Sequence, residues 1–128
     1  METSLTIAEV AQRTGLTAYT LRYYERIGLL GRVTRAANGH RRFGERDVEW
    51  VAFLHRLRST GMGIREMRRY AALRARGDAT LAERQALLRD HADRLAAELR
   101  AQQAHLRVVR EKIGIYDGLL REATAKAA

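Results

Sequence analysis

The sequence of 128 residues predicts a mainly α-helical fold with a compact front domain, a small β-hairpin and a long helix behind. Three observations predict it. Short apolar stripes of helical period alternate with glycines through residues 1–76. One Asn-Gly pair separates two β-capable segments. An unbroken heptad pattern of apolar residues then runs from residue 81 to about residue 120.

The charge of the chain is concentrated in the front domain. Residues 1–76 hold 15 of the 24 basic and 7 of the 15 acidic side chains, a net charge of +8. Residues 77–128 have a net charge of +1. A strongly basic module joined to a nearly neutral segment is typical of a polyanion-binding domain with a separate second part.

The composition also excludes several classes of protein. Cysteine is absent, which excludes disulfides, thiolate metal sites and thiol switches. No apolar run approaches the ~18–20 residues of a membrane span, and the start lacks a signal-peptide core, so we expect a cytoplasmic protein with no membrane partner. The four histidines are not spaced to share a metal ion, and the carboxylates accompany no nucleophile. We therefore expect neither an enzyme nor a metal or other cofactor.

Two short helices open the chain. Thr6 and Glu9 have the spacing of a capping box, and Gly15 is the expected left-handed C-cap of the first helix. Thr17 is a good N-cap for a second helix, predicted from about Ala18 to Ile27. Two short helices joined by a tight glycine-containing turn form a helix-turn-helix.

The predicted second helix has two different faces. Leu21, Tyr24 and Ile27 are spaced to face a core. A solvated helix face more often carries Glu, Lys or Gln, whereas the opposite face of this helix offers guanidinium and phenol groups, which suit phosphates and base edges. Those side chains, beside Ala18, are Tyr19, Arg22, Tyr23 and Arg26.

A basic β-hairpin is expected next. Asn38-Gly39 is a strong hairpin signal because a tight primed turn needs positive φ. A hairpin this small and basic is poorly explained as core, and the alternative is a solvated loop. The arginines along its two arms are Arg32, Arg35, Arg41 and Arg42.

Two further helices, from Glu45 to Thr60 and from Ile64 to about Ala75, complete the predicted front domain. The first of them has apolar side chains on two sides and should contact two neighbours. Its aromatic residues, with those of the next helix, suit either a small effector pocket or ordinary core packing. The candidate pocket residues are Trp50, Phe53, Met67 and Tyr70.

A long helix should follow, opened by a second capping box at Thr80 and Glu83. Steps of four and three from Leu81 to Leu120 meet apolar residues at ten of twelve positions, which favours a coiled-coil seam. At 1.5 Å per residue the stripe spans roughly 60 Å, too long for the front domain to cover, so we expect a two-fold homodimer. The seam is centred on Leu88, Leu95, Leu99, Leu106, Val109 and Ile113.

The far end of this helix is less well specified. Gly114 and Gly118 weaken it, and we expect the last residues to form a flexible tail. The predicted organisation is a DNA-binding front domain at 1–76, a dimerisation helix at 77–120 and a tail at 121–128.

Four segments occur in an order and spacing that closely resemble the MerR family of bacterial transcription regulators. They are IAEVA at 7–11, TAYTLRYYE at 17–25, GLL at 28–30 and NGHRRF at 38–43. The resemblance covers about residues 4–117. The segments RSTGM at 58–62 and GDAT at 77–80 look like the branch that includes aldehyde and thiol-stress sensors.

The resemblance implies an antiparallel coiled-coil homodimer with two winged helix-turn-helix heads on a palindromic promoter. Such regulators reshape double-stranded promoter DNA, so RNA polymerase is engaged indirectly, in response to a small effector that is unknown here. A cytoplasmic, nucleoid-associated bacterial protein is expected. The resemblance implies that Arg22 and Tyr23 of the second helix contact DNA. It also implies backbone contacts from Arg41, Arg42 and Phe43 of the wing, which is the predicted hairpin. All DNA-contact candidates are Thr17, Tyr19, Thr20, Arg22, Tyr23, Arg26, Arg32, Arg35, Arg41, Arg42, Phe43 and Arg58.

The sequence departs from the family pattern in places. The family often has proline where Arg32 stands, arginine where Thr34 stands and tyrosine at His40 or Phe43. The cysteines of the aldehyde-, thiol- and metal-sensing relatives are missing, which excludes sensing through a thiol. The alternative function is an effector-independent architectural or excisionase-like DNA-binding protein. A coiled-coil adaptor without a DNA role leaves the charge of the front domain unexplained.

Overall fold

The computed structural model describes residues 4–31 and 33–128, and over these the predicted mainly α fold is confirmed. The chain divides into two compact units, the first ending at Arg89 and the second comprising Asp90–Ala128. A short 3₁₀ turn, Asp78–Thr80, precedes the last helix. The elements are α1 (Ile7–Thr14), α2 (Ala18–Arg26), β1 (Thr34–Arg35), β2 (Arg41–Arg42), α3 (Glu45–Ser59), α4 (Ile64–Ala75) and α5 (Leu81–Ala127).

The caps of α1 and α2 form as the sequence predicts. Thr6 Oγ1 accepts a hydrogen bond from the backbone N–H of Glu9 at 3.2 Å, and Glu9 Oε1 accepts one from the N–H of Thr6 at 3.1 Å. Gly15 ends α1 with a φ of 77°, in the left-handed region that favours glycine. Thr17 caps α2 by accepting from the N–H of Thr20 at 3.0 Å. The helix-turn-helix thus follows from local capping chemistry.

The β-hairpin forms, but its turn differs from the predicted two-residue primed turn. The N–H of Gly39 donates to the carbonyl of Ala36, and the N–H of Ala36 donates to the carbonyl of His40. Gly39 has a φ of 83°, whereas no non-glycine residue in the described part of the chain has positive φ. Asn38 instead accepts from the N–H of His40 through its side-chain oxygen at 3.1 Å. The loop is therefore a three-residue turn that needs glycine at one position only.

The base of the hairpin is part of a small apolar cluster. Leu5 and Phe43 exchange both backbone hydrogen bonds, at 2.7 and 2.9 Å, and form an antiparallel bridge. Their buried side chains pack with Val10 and Val51, which belong to α1 and α3, and with Leu21 of α2. This cluster fixes the start of α2 and the end of the hairpin to the same scaffold.

A larger cluster holds the end of α2 against α3 and α4. Trp50 Nε1 donates to the carbonyl of Leu29 at 2.8 Å, and the indole ring stacks on Tyr70 with centroids 5.6 Å apart. Phe53 also contacts the phenol ring of Tyr70, with ring centroids 6.0 Å apart, and Met67 is fully buried. The structure therefore favours core packing over an effector pocket for these four side chains.

The first unit extends beyond its predicted end at residue 76. Thr80, predicted to cap α5, lies inside the 3₁₀ turn, where its buried hydroxyl donates to the carbonyl of Leu73 at 2.6 Å. Leu87 and Leu88, in the second turn of α5, pack against the larger cluster. The first turns of α5 thus belong to the front unit, because their apolar side chains complete its core.

The second unit is the rest of α5, which continues to Ala127 in place of the flexible tail predicted at 121–128. Arg121 Nε donates to the carbonyl of Asp117 at 3.3 Å, and Thr124 Oγ1 donates to that of Leu120 at 2.9 Å. Strong helix formers after Arg121 extend the helix past the two glycines. In the described residues no helix is long and apolar enough to cross a membrane.

Candidate nucleic-acid interface

Helix α2 presents a basic and aromatic face to solvent. Leu21 and Tyr24 anchor the opposite side, with exposed fractions of 0% and 3%. Arg22, Arg26 and Tyr19 are exposed on this face and Tyr23 is half-buried. The guanidinium of Arg26 lies 5.7 Å from the centre of the Tyr23 ring, within the range of a cation–π contact. We call Tyr19, Arg22, Tyr23 and Arg26 the recognition face.

Two hydroxyl groups stand at the start of α2, next to the recognition face. Thr17 Oγ1 donates to Thr20 Oγ1 at 3.0 Å while it caps the helix. Thr17 is exposed and Thr20 is half-buried. Helix N-termini offer unsatisfied N–H groups and partial positive charge, which suit a phosphate.

The hairpin is joined to α2 by a carboxylate that the sequence analysis missed. Glu25 Oε2 accepts from Arg41 Nε at 2.7 Å, and Oε1 accepts from Arg35 at 3.1 Å. Arg35 and Arg41, both predicted to contact DNA, therefore pair with Glu25. Arg42, on the same strand as Arg41, is half-buried. The sequence offered no spacing signal for this contact, since Glu25 and the two arginines lie 10 and 16 residues apart.

The remaining candidates differ in their placement. Phe43 is 3% exposed, which corrects its prediction as a DNA contact, because its side chain fills the core beside Leu5. Arg32 lies outside the described residues. Arg58 is exposed, and its guanidinium donates to the carbonyl of Met62 at 3.3 Å.

Arg58 also lines a groove that borders the recognition face. The groove has a volume of about 460 Å³. It brings Arg58, at the end of α3, together with Thr20 and Tyr23 of α2. The cationic, hydroxyl and phenol groups around it are donors that suit phosphate oxygens. The rest of its lining is Leu16, Tyr24, His55, Ser59 and Ile64.

Burial and hydrogen bonding shift the pKa of Tyr24 and of Glu45. Burial raises the pKa of the Tyr24 phenol, which is the inward anchor of α2. A hydrogen bond from Arg13 lowers the pKa of Glu45, and the two side chains form a two-point pair at 2.7 and 2.9 Å between α1 and α3. Within the described residues, no group of three or more His, Asp or Glu side chains could hold a metal ion. The guanidinium, hydroxyl and phenol groups of this surface are of the kind that suits a polyanion.

Comparison with known proteins adds the following similarities. Residues 5–73 match the profile described as MerR HTH family regulatory protein. An uncharacterized HTH-type transcriptional regulator of Haemophilus influenzae is 32% identical, over 95% of this chain and 90% of that protein. The HTH-type transcriptional regulator AdhR of Bacillus subtilis is 42% identical over 71% of this chain and 65% of its own length.

Solved structures of such regulators share the fold. A crystal structure of HiNmlR, described as a MerR family regulator lacking the sensor domain and bound to promoter DNA, superposes with a TM-score of 0.82. It is 32% identical, over 90% of this chain and 91% of that one. A putative MerR family regulator from Listeria monocytogenes has a TM-score of 0.88 and 35% identity, over 95% and 92% of the two chains.

Proposed function

The chain belongs to the MerR family of helix-turn-helix regulators, and on this premise we propose that it is a dimeric regulator that binds and distorts promoter DNA. The relatives are transcriptional regulators and not enzymes. The observation that carries the proposal is the recognition face: a short helix, anchored by buried side chains on one side, presents arginine and tyrosine side chains on the other.

In this proposal α2 enters the major groove and the hairpin lies along the sugar–phosphate backbone. A helix of this width fits the groove, and arginine makes two hydrogen bonds to guanine, which gives Arg22 a base-reading role. Arg26, Arg42 and Arg58 supply phosphate contacts on either side. Phosphate contacts set affinity and register, whereas base contacts set sequence preference.

Dimerisation is proposed to use the seam of α5. Leu99, Leu106, Val109 and Ile113 are between 46% and 56% exposed, although all four are large apolar side chains. Contiguous exposed apolar surface of this kind marks an interaction site, and the heptad spacing fits a second copy of the same helix. Leu88 packs in the first unit, so the free part of the seam begins near Leu95.

Distortion of the promoter is the mode of action we propose, with RNA polymerase engaged through the reshaped DNA and not through direct contact. We propose that the regulator responds to a small effector, which would bind outside the core formed by Trp50 and its neighbours. The core packing of those side chains supports a second candidate, an effector-independent architectural or excisionase-like protein. The two candidates differ in their selectivity for DNA sequence. A regulator prefers one operator sequence, whereas an architectural protein binds by charge and DNA deformability.

Selection from genomic DNA tests the proposal. Purified protein is mixed with sheared DNA of the source genome, and the retained fragments are sequenced. We expect enrichment of a few promoters that share one palindrome, and loss of that enrichment with the Arg22→Ala, Arg26→Ala double variant. A flat profile with the wild-type protein would contradict a sequence-specific regulator and favour the architectural candidate.

A further inference from the structure

We propose that Glu25 is a positioning residue that holds the hairpin against α2 and thereby sets the DNA sequence selectivity of the front unit. This inference rests on the proposed function. Glu25 accepts hydrogen bonds from Arg41 on β2 and from Arg35 on β1, so one carboxylate joins both strands to the helix. We call these three residues the wing lock.

The hairpin needs such an anchor because its strands are very short. Each strand has two residues, and Arg35 lies directly opposite Arg41 in the antiparallel register. An isolated hairpin of this size is marginally stable in water. The bridge between Leu5 and Phe43 fixes its base, but the turn around Gly39 lies beyond that bridge.

The wing lock reaches toward this turn. Arg35 donates one guanidinium N–H to Glu25 and another to the carbonyl of Gly39 at 3.1 Å. A chain of hydrogen bonds therefore runs from α2 through Arg35 to the turn. The position of the turn relative to the recognition face depends on this chain.

The Glu25–Arg41 pair of the wing lock is also more sheltered than an ordinary surface ion pair, whereas the side chain of Arg35 is 47% exposed. The side chains of Glu25 and Arg41 are 18% and 24% exposed, compared with 52% and 45% for Glu45 and Arg13. Charge-assisted hydrogen bonds gain strength when they are partly desolvated, whereas exposed pairs contribute little. Two guanidinium groups share one carboxylate, so the wing lock still has a net positive charge for DNA.

Loss of the carboxylate should have two opposite effects on DNA binding. It frees one positive charge, which favours any phosphate backbone regardless of sequence. It also releases the hairpin, which then contacts the backbone without holding α2 in one register. Selectivity should therefore fall while affinity for random DNA is kept or raised, a pattern that simple destabilisation of the fold does not produce.

The test compares Glu25→Gln with Glu45→Gln. Both substitutions keep the side-chain size, remove one negative charge and break an Arg–Glu pair in the same head. Dissociation constants are measured for the selected palindrome and for random DNA at the same salt concentration. We expect the ratio of the two constants to fall about tenfold for Glu25→Gln and less than about twofold for Glu45→Gln. Equal ratios in the two variants would overturn the proposal.

A readout without DNA separates this inference from the proposed function. Hydrogen exchange at the amides of Ala36 and Gly39 reports the order of the turn, since both donate to backbone carbonyls. We expect faster exchange in Glu25→Gln and wild-type rates in Glu45→Gln. Unchanged rates in Glu25→Gln would overturn the wing lock. If the wild-type protein itself has no sequence preference, the proposed function fails, and the exchange rates alone decide whether the lock exists.

Discussion

Replacing Trp50 with phenylalanine should destabilise the front unit strongly, although both side chains are aromatic. The indole N–H donates to the carbonyl of Leu29, and both residues are buried, with exposed fractions of 7% and 1%. Leu29 follows the end of α2, so this hydrogen bond joins the end of α2 to α3. The ring also stacks on Tyr70, and the guanidinium of Arg74 lies over it, 4.1 Å from its centre.

The expected loss has three parts. An unsatisfied buried carbonyl at Leu29 costs about 1–3 kcal/mol. The smaller ring loses roughly 40 Å² of buried apolar surface, or about 1 kcal/mol. The cation–π contact with Arg74 weakens by about 0.5 kcal/mol. The sum is about 2.5–4.5 kcal/mol, a large fraction of the ~5–15 kcal/mol that stabilises a typical domain.

Urea denaturation followed by far-ultraviolet circular dichroism measures this loss. Fluorescence is unsuitable because Trp50 is the one tryptophan of the sequence. Protein concentration is kept equal because association shifts apparent stability. Arg74→Ala is the control: it removes the cation but keeps the hydrogen bond, and should cost about 0.5–1 kcal/mol. A loss below about 1 kcal/mol for Trp50→Phe would refute the reasoning.

Two further predictions concern the seam and the anchor of α2. Leu99→Glu places a charge in the seam, so this variant should be a monomer by light scattering. Ala97→Glu adds the same charge on the opposite side of the helix and should remain a dimer. A dimeric Leu99→Glu variant would contradict the seam. Burial raises the pKa of Tyr24, so the folded state holds the phenol proton more tightly and the free energy of unfolding should decrease as the pH rises above about 10. Tyr24→Phe should remove part of this decrease between pH 9 and pH 11 in urea denaturation, and an unchanged pH dependence would show that Tyr24 does not cause it.

Local chemistry explains which elements could be predicted from the sequence. The capping box of Thr6 and Glu9, the C-cap at Gly15 and the N-cap at Thr17 depend on neighbouring residues, and all three form as predicted. A primed turn was predicted at Asn38-Gly39, and this prediction is wrong. Only Gly39 of this pair has positive φ, and the side chain of Asn38 instead accepts a hydrogen bond from the N–H of His40. Local signals therefore predicted element types better than their details.

Contacts between distant residues explain what the sequence did not reveal. Phe43 looked like a wing residue, but pairing with Leu5 places it in the core. Glu25 looked like an ordinary polar residue of α2, and its two arginine partners become neighbours only once the hairpin folds back. The seam was predicted by its period, yet Val108 and Ile115 are also exposed, so the apolar face of α5 is wider than the predicted seam.

The most direct test of the account is the affinity of Arg22→Ala for the selected palindrome, measured with every base pair of a half-site substituted in turn. We expect a loss of about 1–3 kcal/mol at the palindrome and loss of the preference at one base pair, with little change for random DNA. Arg100→Ala removes the same charge from α5 and serves as the control. If Arg22→Ala binds the palindrome with wild-type affinity and wild-type base preferences, α2 does not read the DNA and the central claim is wrong.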